Sequence, residues 1–94
     1  MKLPGHKTKI VCTIGPASRS ESVLKNLIRQ GMDVARLNFS HGTVEEHREN
    51  IRRIRSAAAD LKCACLILAD LPGPKIRIGT VQDEPLMLKK GHSV

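Results

Sequence analysis

The sequence predicts an α/β fold in the order β-α-β-α-β, followed by a segment of different character. Three observations carry this. Apolar, β-branched runs alternate with segments of helical period. Turn or capping signals stand at the junctions. The run Leu71-Pro72-Gly73-Pro74 then breaks the pattern. Such alternation means a parallel sheet whose right-handed crossovers place the helices outside it.

Thr8-Lys9-Ile10-Val11-Cys12-Thr13-Ile14 predicts a buried first strand, closed by Gly15-Pro16. Ser18-x-x-Glu21 has the capping-box pattern and predicts the start of a first helix. Val23, Leu24, Leu27 and Ile28 supply its apolar face, and Gly31 stops it. Val34 to Phe39 predicts the second strand. Thr43-x-x-Glu46 is a second capping box. Val44, His47, Ile51, Ile54, Ala58 and Leu61 then step by threes and fours, an apolar stripe on a helix of about five turns. His47 lies within that stripe, which suits a core or boundary histidine. Cys65 to Ala69 predicts the third strand, ended by Asp70. Beyond Pro74, residues 75–80, 85–89 and the tail at Val94 read as short strands. The expected division is therefore 1–71 and 72–94.

Sixteen Lys and Arg against nine Asp and Glu give the 94 residues a net charge of +7, which favours phosphate-bearing partners. Chain length allows one small domain at most. The composition is not that of a disordered chain. The longest apolar run, Cys63 to Ala69, is seven residues, against about 20 for a membrane span. Met1 to His6 do not read as a secretory leader. Phe39 is the single aromatic residue, so nucleic acid finds almost no stacking platform. Arg48, Arg52, Arg53 and Arg55 stand beside Glu45, Glu46 and Glu49, which suits a solvated helix face. Cys12, Cys63 and Cys65 form no C-x-x-C pair and read as buried, reduced thiols of a cytoplasmic protein. Three parallel strands with two helices leave sheet surface bare, so the 94 residues are expected to open a longer chain.

Alternation along the second strand puts Val34, Arg36, Asn38 and Ser40 on one face and Ala35, Leu37 and Phe39 on the other. The apolar trio suits packing against the helices. Arg36 then points to the interior, where a guanidinium needs an anion or a carboxylate. Leu66, Leu68 and Asp70 share a face of the third strand, with Asp70 at its carboxyl end, where parallel α/β folds bind ligands. Asn38, Ser40, His41 and Asp70 thus gather at one rim. An Arg36–Asp70 ion pair without any ligand accounts for the same pattern.

Residues 8–18, Thr8-Lys9-Ile10-Val11-Cys12-Thr13-Ile14-Gly15-Pro16-Ala17-Ser18, resemble the opening strand of pyruvate kinases. Ala35-Arg36-Leu37-Asn38-Phe39-Ser40-His41-Gly42 resembles that family's second-strand motif. Asp70-Leu71-Pro72-Gly73-Pro74-Lys75-Ile76-Arg77-Ile78-Gly79 resembles the passage from its barrel into its lid. The resemblance implies part of a (β/α)8 TIM barrel over 1–71 and the first strands of an inserted β-rich lid over 72–94.

It further implies phosphoryl transfer between phosphoenolpyruvate and ADP, giving pyruvate and ATP in glycolysis, in a cytoplasmic homotetramer. Arg36 would bind the phosphoryl group. Asn38, His41 and Arg77 would contact the nucleotide. Asn38, Ser40, Asp70 and the Leu71 carbonyl would hold a monovalent cation, potassium. Two positions depart from the commoner pattern: Leu71 replaces a threonine, and Lys75 replaces an acidic residue. Lys75 is therefore expected to stand in for potassium. The family's catalytic lysine and its Mg2+ ligands match nothing here, so none of these residues is expected to catalyse, and the chain alone should be inactive. The competing reading is a non-catalytic, basic α/β module that binds phosphates or nucleotides. Nucleic acid and membrane are not expected partners.

Overall fold

The computed structural model describes residues 5–93. The leader question at residues 1–4 and the strand expected at Val94 lie outside them. The elements are β1 (Val11–Thr13), α1 (Glu21–Arg29), β2 (Val34–Asn38), α2 (Val44–Leu61) and β3 (Leu66–Asp70). The strands form one parallel sheet in the order β1-β2-β3. This is the α/β arrangement the alternation predicts.

β1 is shorter than expected, because its pairing with β2 covers only Val11–Thr13 opposite Val34–Arg36. Upstream, the backbone is tied to one side chain instead of a ladder. Asp33 is buried, and its Oδ2 accepts the Ile10 N–H at 2.8 Å and a hydrogen bond from His6 Nε2 at 2.8 Å. The His6 contact, followed by the Ile10 amide, holds the Asp33 carboxyl below the usual aspartate range.

The first helix is capped by Ser20, not Ser18. Ser20 is extended and its hydroxyl accepts the Val23 N–H. Ser18 closes the turn after β1, where its hydroxyl accepts the Gly15 N–H at 3.0 Å. In α2 the Thr43–Glu46 capping box forms as expected, with both reciprocal hydrogen bonds. The buried face of α2 is rotated from the predicted stripe: Asn50, Ile54, Ala57 and Ala58 are buried, while Val44 is 65% exposed in the first turn. Leu24 and Ile28 of α1, Ile54 of α2, and Ala35 and Leu37 of β2 join one core with Ile14 and Met32. The apolar face of β2 therefore packs as its alternation predicts.

Polar links tie the two helices along their outer edge. Ser56 Oγ donates to Glu21 Oε1 at 3.2 Å, and Lys25 Nζ lies 2.8 Å from Asp60 Oδ2. The far side of the sheet is bare, with Val11, Leu66 and Leu68 all exposed. Cys12, Cys63 and Cys65 are free and half-buried, less enclosed than expected. Burial pushes the Cys65 thiol up. Among the described residues no helix is long and apolar enough to cross a membrane.

The short strands expected over 75–80 and 85–89 do not form; no strand is present over 71–93. The physical reason is lack of partners. Ile76, Ile78, Met87 and Leu88 are exposed, and a lone extended segment gains neither ladder hydrogen bonds nor a buried face.

Candidate functional site

β2 is the central strand, so a side chain on its bare face has a strand on either side. Register makes Thr13 and Leu68 the direct partners of Arg36, and Asp70 the direct partner of Asn38. Asp70 thus lies diagonal to Arg36. Arg36 Nε donates to Asp70 Oδ2 at 3.0 Å, and Nη2 donates to the same oxygen. On the other side Arg36 Nη1 donates to Thr13 Oγ1 at 3.0 Å. The expected contact between Arg36 and Asp70 is present. Its environment is more open than predicted: the side chains are 31% and 45% exposed, so Arg36 is half-buried rather than interior. A guanidinium has five N–H donors, and these contacts leave one free on each terminal nitrogen.

Past β2 the chain turns on Asn38. Asn38 Oδ1 accepts the Ser40 N–H at 3.1 Å, an Asx turn, and the Asn38 carbonyl accepts the His41 N–H at 3.3 Å. Across the rim the Asp70 carbonyl accepts the Phe39 N–H at 3.0 Å. Gly42 follows at φ +77°, and a Cβ there would come within 2.9 Å of Glu46 Oε2, so glycine suits both the dihedral and the space. His47 is half-buried, a boundary histidine as predicted. Its ring stacks on Phe39 with centroids 4.2 Å apart. His47 Nε2 lies 2.6 Å from the His41 carbonyl. A carbonyl only accepts, so Nε2 carries the proton. His47 Nδ1 is buried with no partner among the described residues.

These loops border a cavity of about 330 Å³ that reaches Thr13, Pro16, Asn38, His41, Gly42 and His47. It opens at the carboxyl ends of β1 and β2, the end where parallel sheets receive ligands. Arg36, Asn38, Ser40, Asp70 and Leu71 come together at this rim through the register and the turn after β2. Lys75 and Arg77 lie on the strandless segment, are exposed, and make no side-chain hydrogen bond or ion pair among the described residues. Asp70 pairs with Arg36, not with Lys75.

The donor set at the rim is all oxygen: the Asn38 amide, the Ser40 hydroxyl, the Asp70 carboxylate and the Leu71 carbonyl. Oxygen is the donor type that hard cations prefer, and Asp70 keeps Oδ1 free of the contacts to Arg36. No group of three or more His, Cys, Asp or Glu is placed to hold a metal ion among the described residues.

Two contacts were not apparent from sequence, one at the site and one at the opposite end of the sheet. Thr13 reaches Arg36 only because of the strand register, which no local motif records. His6 and Asp33 are 27 positions apart in the chain, and nothing in their spacing signals the contact.

Residues 5–94 match the family described as pyruvate kinase, barrel domain. The chain is 50% identical over 94 residues to the pyruvate kinase of Thermococcus litoralis, covering 100% of this chain and 20% of that protein. It is 54% identical over 88 residues to the pyruvate kinase of Staphylococcus haemolyticus, covering 94% of this chain and 15% of the relative. With a Glycine max protein named pyruvate kinase, cytosolic isozyme, it is 47% identical over 89 residues, 94% of this chain and 17% of that one. A crystal structure of Cryptosporidium parvum pyruvate kinase superposes with a TM-score of 0.69 at 48% identity, over 72% of this chain and 14% of that chain. The chain thus spans at most a fifth of the length of these relatives. By a family match over nearly every residue and by identity near one half, this chain belongs to the pyruvate kinase family.

Proposed function

We propose that these 94 residues form one wall of the phosphoryl-transfer site of a full-length pyruvate kinase, the enzyme that moves a phosphoryl group between phosphoenolpyruvate and ADP. The observation that carries this is Arg36. It is held from both neighbouring strands at the carboxyl rim of a parallel sheet, with two N–H donors left over. A planar guanidinium with a free donor on each terminal nitrogen suits two oxygens of a phosphoryl group. Phosphoryl transfer asks for positioning and charge neutralisation above all, and Arg36 supplies both to the transferred group.

In this reading residues 1–71 are part of a (β/α)8 barrel, which accounts for the bare face and edges of the sheet, and 72–94 begin the lid. Partner strands from the rest of the lid would let Ile76 and Ile78 pair and bury. Asn38 and His41, bordering the cavity, contact the nucleotide, and Arg77 meets its phosphates when the lid closes. Asn38, Ser40, Asp70 and the Leu71 carbonyl hold potassium, or Lys75 supplies the positive charge in its place. A monovalent cation there adds positive charge beside the transferred phosphoryl. The acidic Mg2+ ligands and the catalytic lysine come from the remainder of the enzyme, a cytoplasmic homotetramer.

The experiment is a substitution in the full-length enzyme. Arg36→Met should lower kcat/KM for phosphoenolpyruvate by about a hundredfold or more, the scale of losing a charged donor to the transition state. Thermal unfolding should shift little. Unchanged kinetics would remove Arg36 from the site and this reading with it.

A further inference from the structure

The contacts of Arg36 with Asp70 leave one motion open. Nε and Nη2 both donate to a single carboxylate oxygen, Oδ2. Two bonds to one atom fix distance but let the guanidinium plane swing about that atom. A second anchor on the opposite edge of the plane stops the swing, and Thr13 provides it. Its Oγ1 lies 3.0 Å from Arg36 Nη1. Thr13 is also the direct partner of Arg36 in the β1–β2 register, so the sheet itself sets the two side chains next to each other on one face. Threonine is β-branched, and its χ1 is stiff on a strand. The hydroxyl at the end of β1 therefore has few orientations to choose from.

We infer that Thr13 is a positioning residue for phosphoryl transfer: its hydroxyl locks the plane of the Arg36 guanidinium so that the free Nη1 and Nη2 donors point together at the phosphoryl oxygens. This rests on the reading of Arg36 given above. With both anchors in place, the donors left over sit one on each terminal nitrogen. Two adjacent, nearly parallel N–H groups match a two-oxygen anion face. Without Thr13 the Nη1 edge is free, and the guanidinium must be ordered when substrate binds, a cost taken from affinity. Thr13 itself also borders the cavity. It touches Arg36 and not the reacting atoms, so it acts through that side chain.

The test uses the full-length enzyme and four variants: Thr13→Val, Thr13→Ser, Arg36→Lys and the double variant Thr13→Val/Arg36→Lys. Valine keeps the shape and strand preference of threonine and removes the hydroxyl; serine keeps the hydroxyl. Thr13→Val should lower kcat/KM for phosphoenolpyruvate by about tenfold, the order of one hydrogen bond to a charged group. KM for ADP and the unfolding midpoint should hold. Thr13→Ser should recover most of the loss. The double variant should be no worse than Arg36→Lys alone, because Thr13 has nothing left to position.

Parental kinetics in Thr13→Val overturn the inference. So does a double variant whose losses multiply, since Thr13 would then act independently of Arg36. If Thr13→Val proves unstable, the serine variant and the cycle are repeated with Thr13→Ala, and the same comparisons decide. Failure of the underlying reading looks different: Arg36→Met itself would leave phosphoenolpyruvate kinetics untouched.

Discussion

Asn38 and Asp70 face each other across β2 and β3, and that single register pair fixes the candidate site. It sets Asp70 one same-face position beyond Leu68, the partner of Arg36, so the carboxylate meets the guanidinium on the diagonal. A slip of one residue would turn Asp70 to the helix side of the sheet and leave Arg36 without a counter-charge.

Asp70→Asn keeps the shape of the side chain and removes its charge. In the full-length enzyme it should lower kcat/KM for phosphoenolpyruvate about tenfold or more, because Arg36 loses its principal anchor. The unfolding free energy should move by less than about 1 kcal/mol, since an ion pair this exposed contributes little to stability. Steady-state kinetics beside a denaturant titration separates the two effects.

Ile54 is fully buried between α2 and the rest of the core. Ile54→Ala should cost about 2–5 kcal/mol through lost burial and a residual cavity. Such a loss is a large fraction of the net stability of a folded domain. Circular dichroism at 222 nm on the full-length enzyme should show the helical signal collapsing at a lower temperature in the variant than in the parent enzyme.

Glu49 accepts hydrogen bonds from Arg52 and Arg53 on its own helix. The Arg52 contact above all draws its carboxyl down to about 2. The folded value lies below the unfolded one, so the stability it contributes is present above about pH 4.5 and is lost as pH falls toward 2. A carbon-detected titration of the Glu49 carboxyl should find that low midpoint, and Arg52→Ala should return it most of the way to an ordinary glutamate. An ordinary midpoint in the parent chain would place the arginines in solvent.

Lys75 offers a charge that a bound cation otherwise supplies. If it does so, the full-length enzyme should keep its activity in potassium-free buffer within about twofold, and Lys75→Ala should make it depend on added potassium. Strong activation of the parent enzyme by potassium would return the charge-balancing role to the Asn38, Ser40, Asp70 and Leu71 oxygens. These outcomes are read in a sodium-free, organic-cation buffer.

The element order, the two faces of β2 and the Thr43 capping box were legible because each is written in adjacent residues. Alternation alone sent Leu37 inward and Arg36 to the opposite face. The cap of α1 is not decided by sequence because Ser18 and Ser20 stand two positions apart, and only the geometry of the turn sets which hydroxyl meets the helix. Val44 matched the helical period yet stays exposed, because the packing angle of α2 sets which stripe is buried. The strands expected after Pro74 failed for a different reason. A strand is completed by its neighbours, and Ile76 and Ile78 have none among the described residues. Thr13 and the His6–Asp33 contact escaped because register and chain return are tertiary facts.

The order of the strands in the sheet is the order in which they are synthesised. Each new strand docks on the edge left by the one before, and no gap waits for a later arrival. A nascent polypeptide leaving the ribosome can therefore lay down this wall stepwise, with Arg36 gaining its first partner from β1 and its second only when β3 emerges.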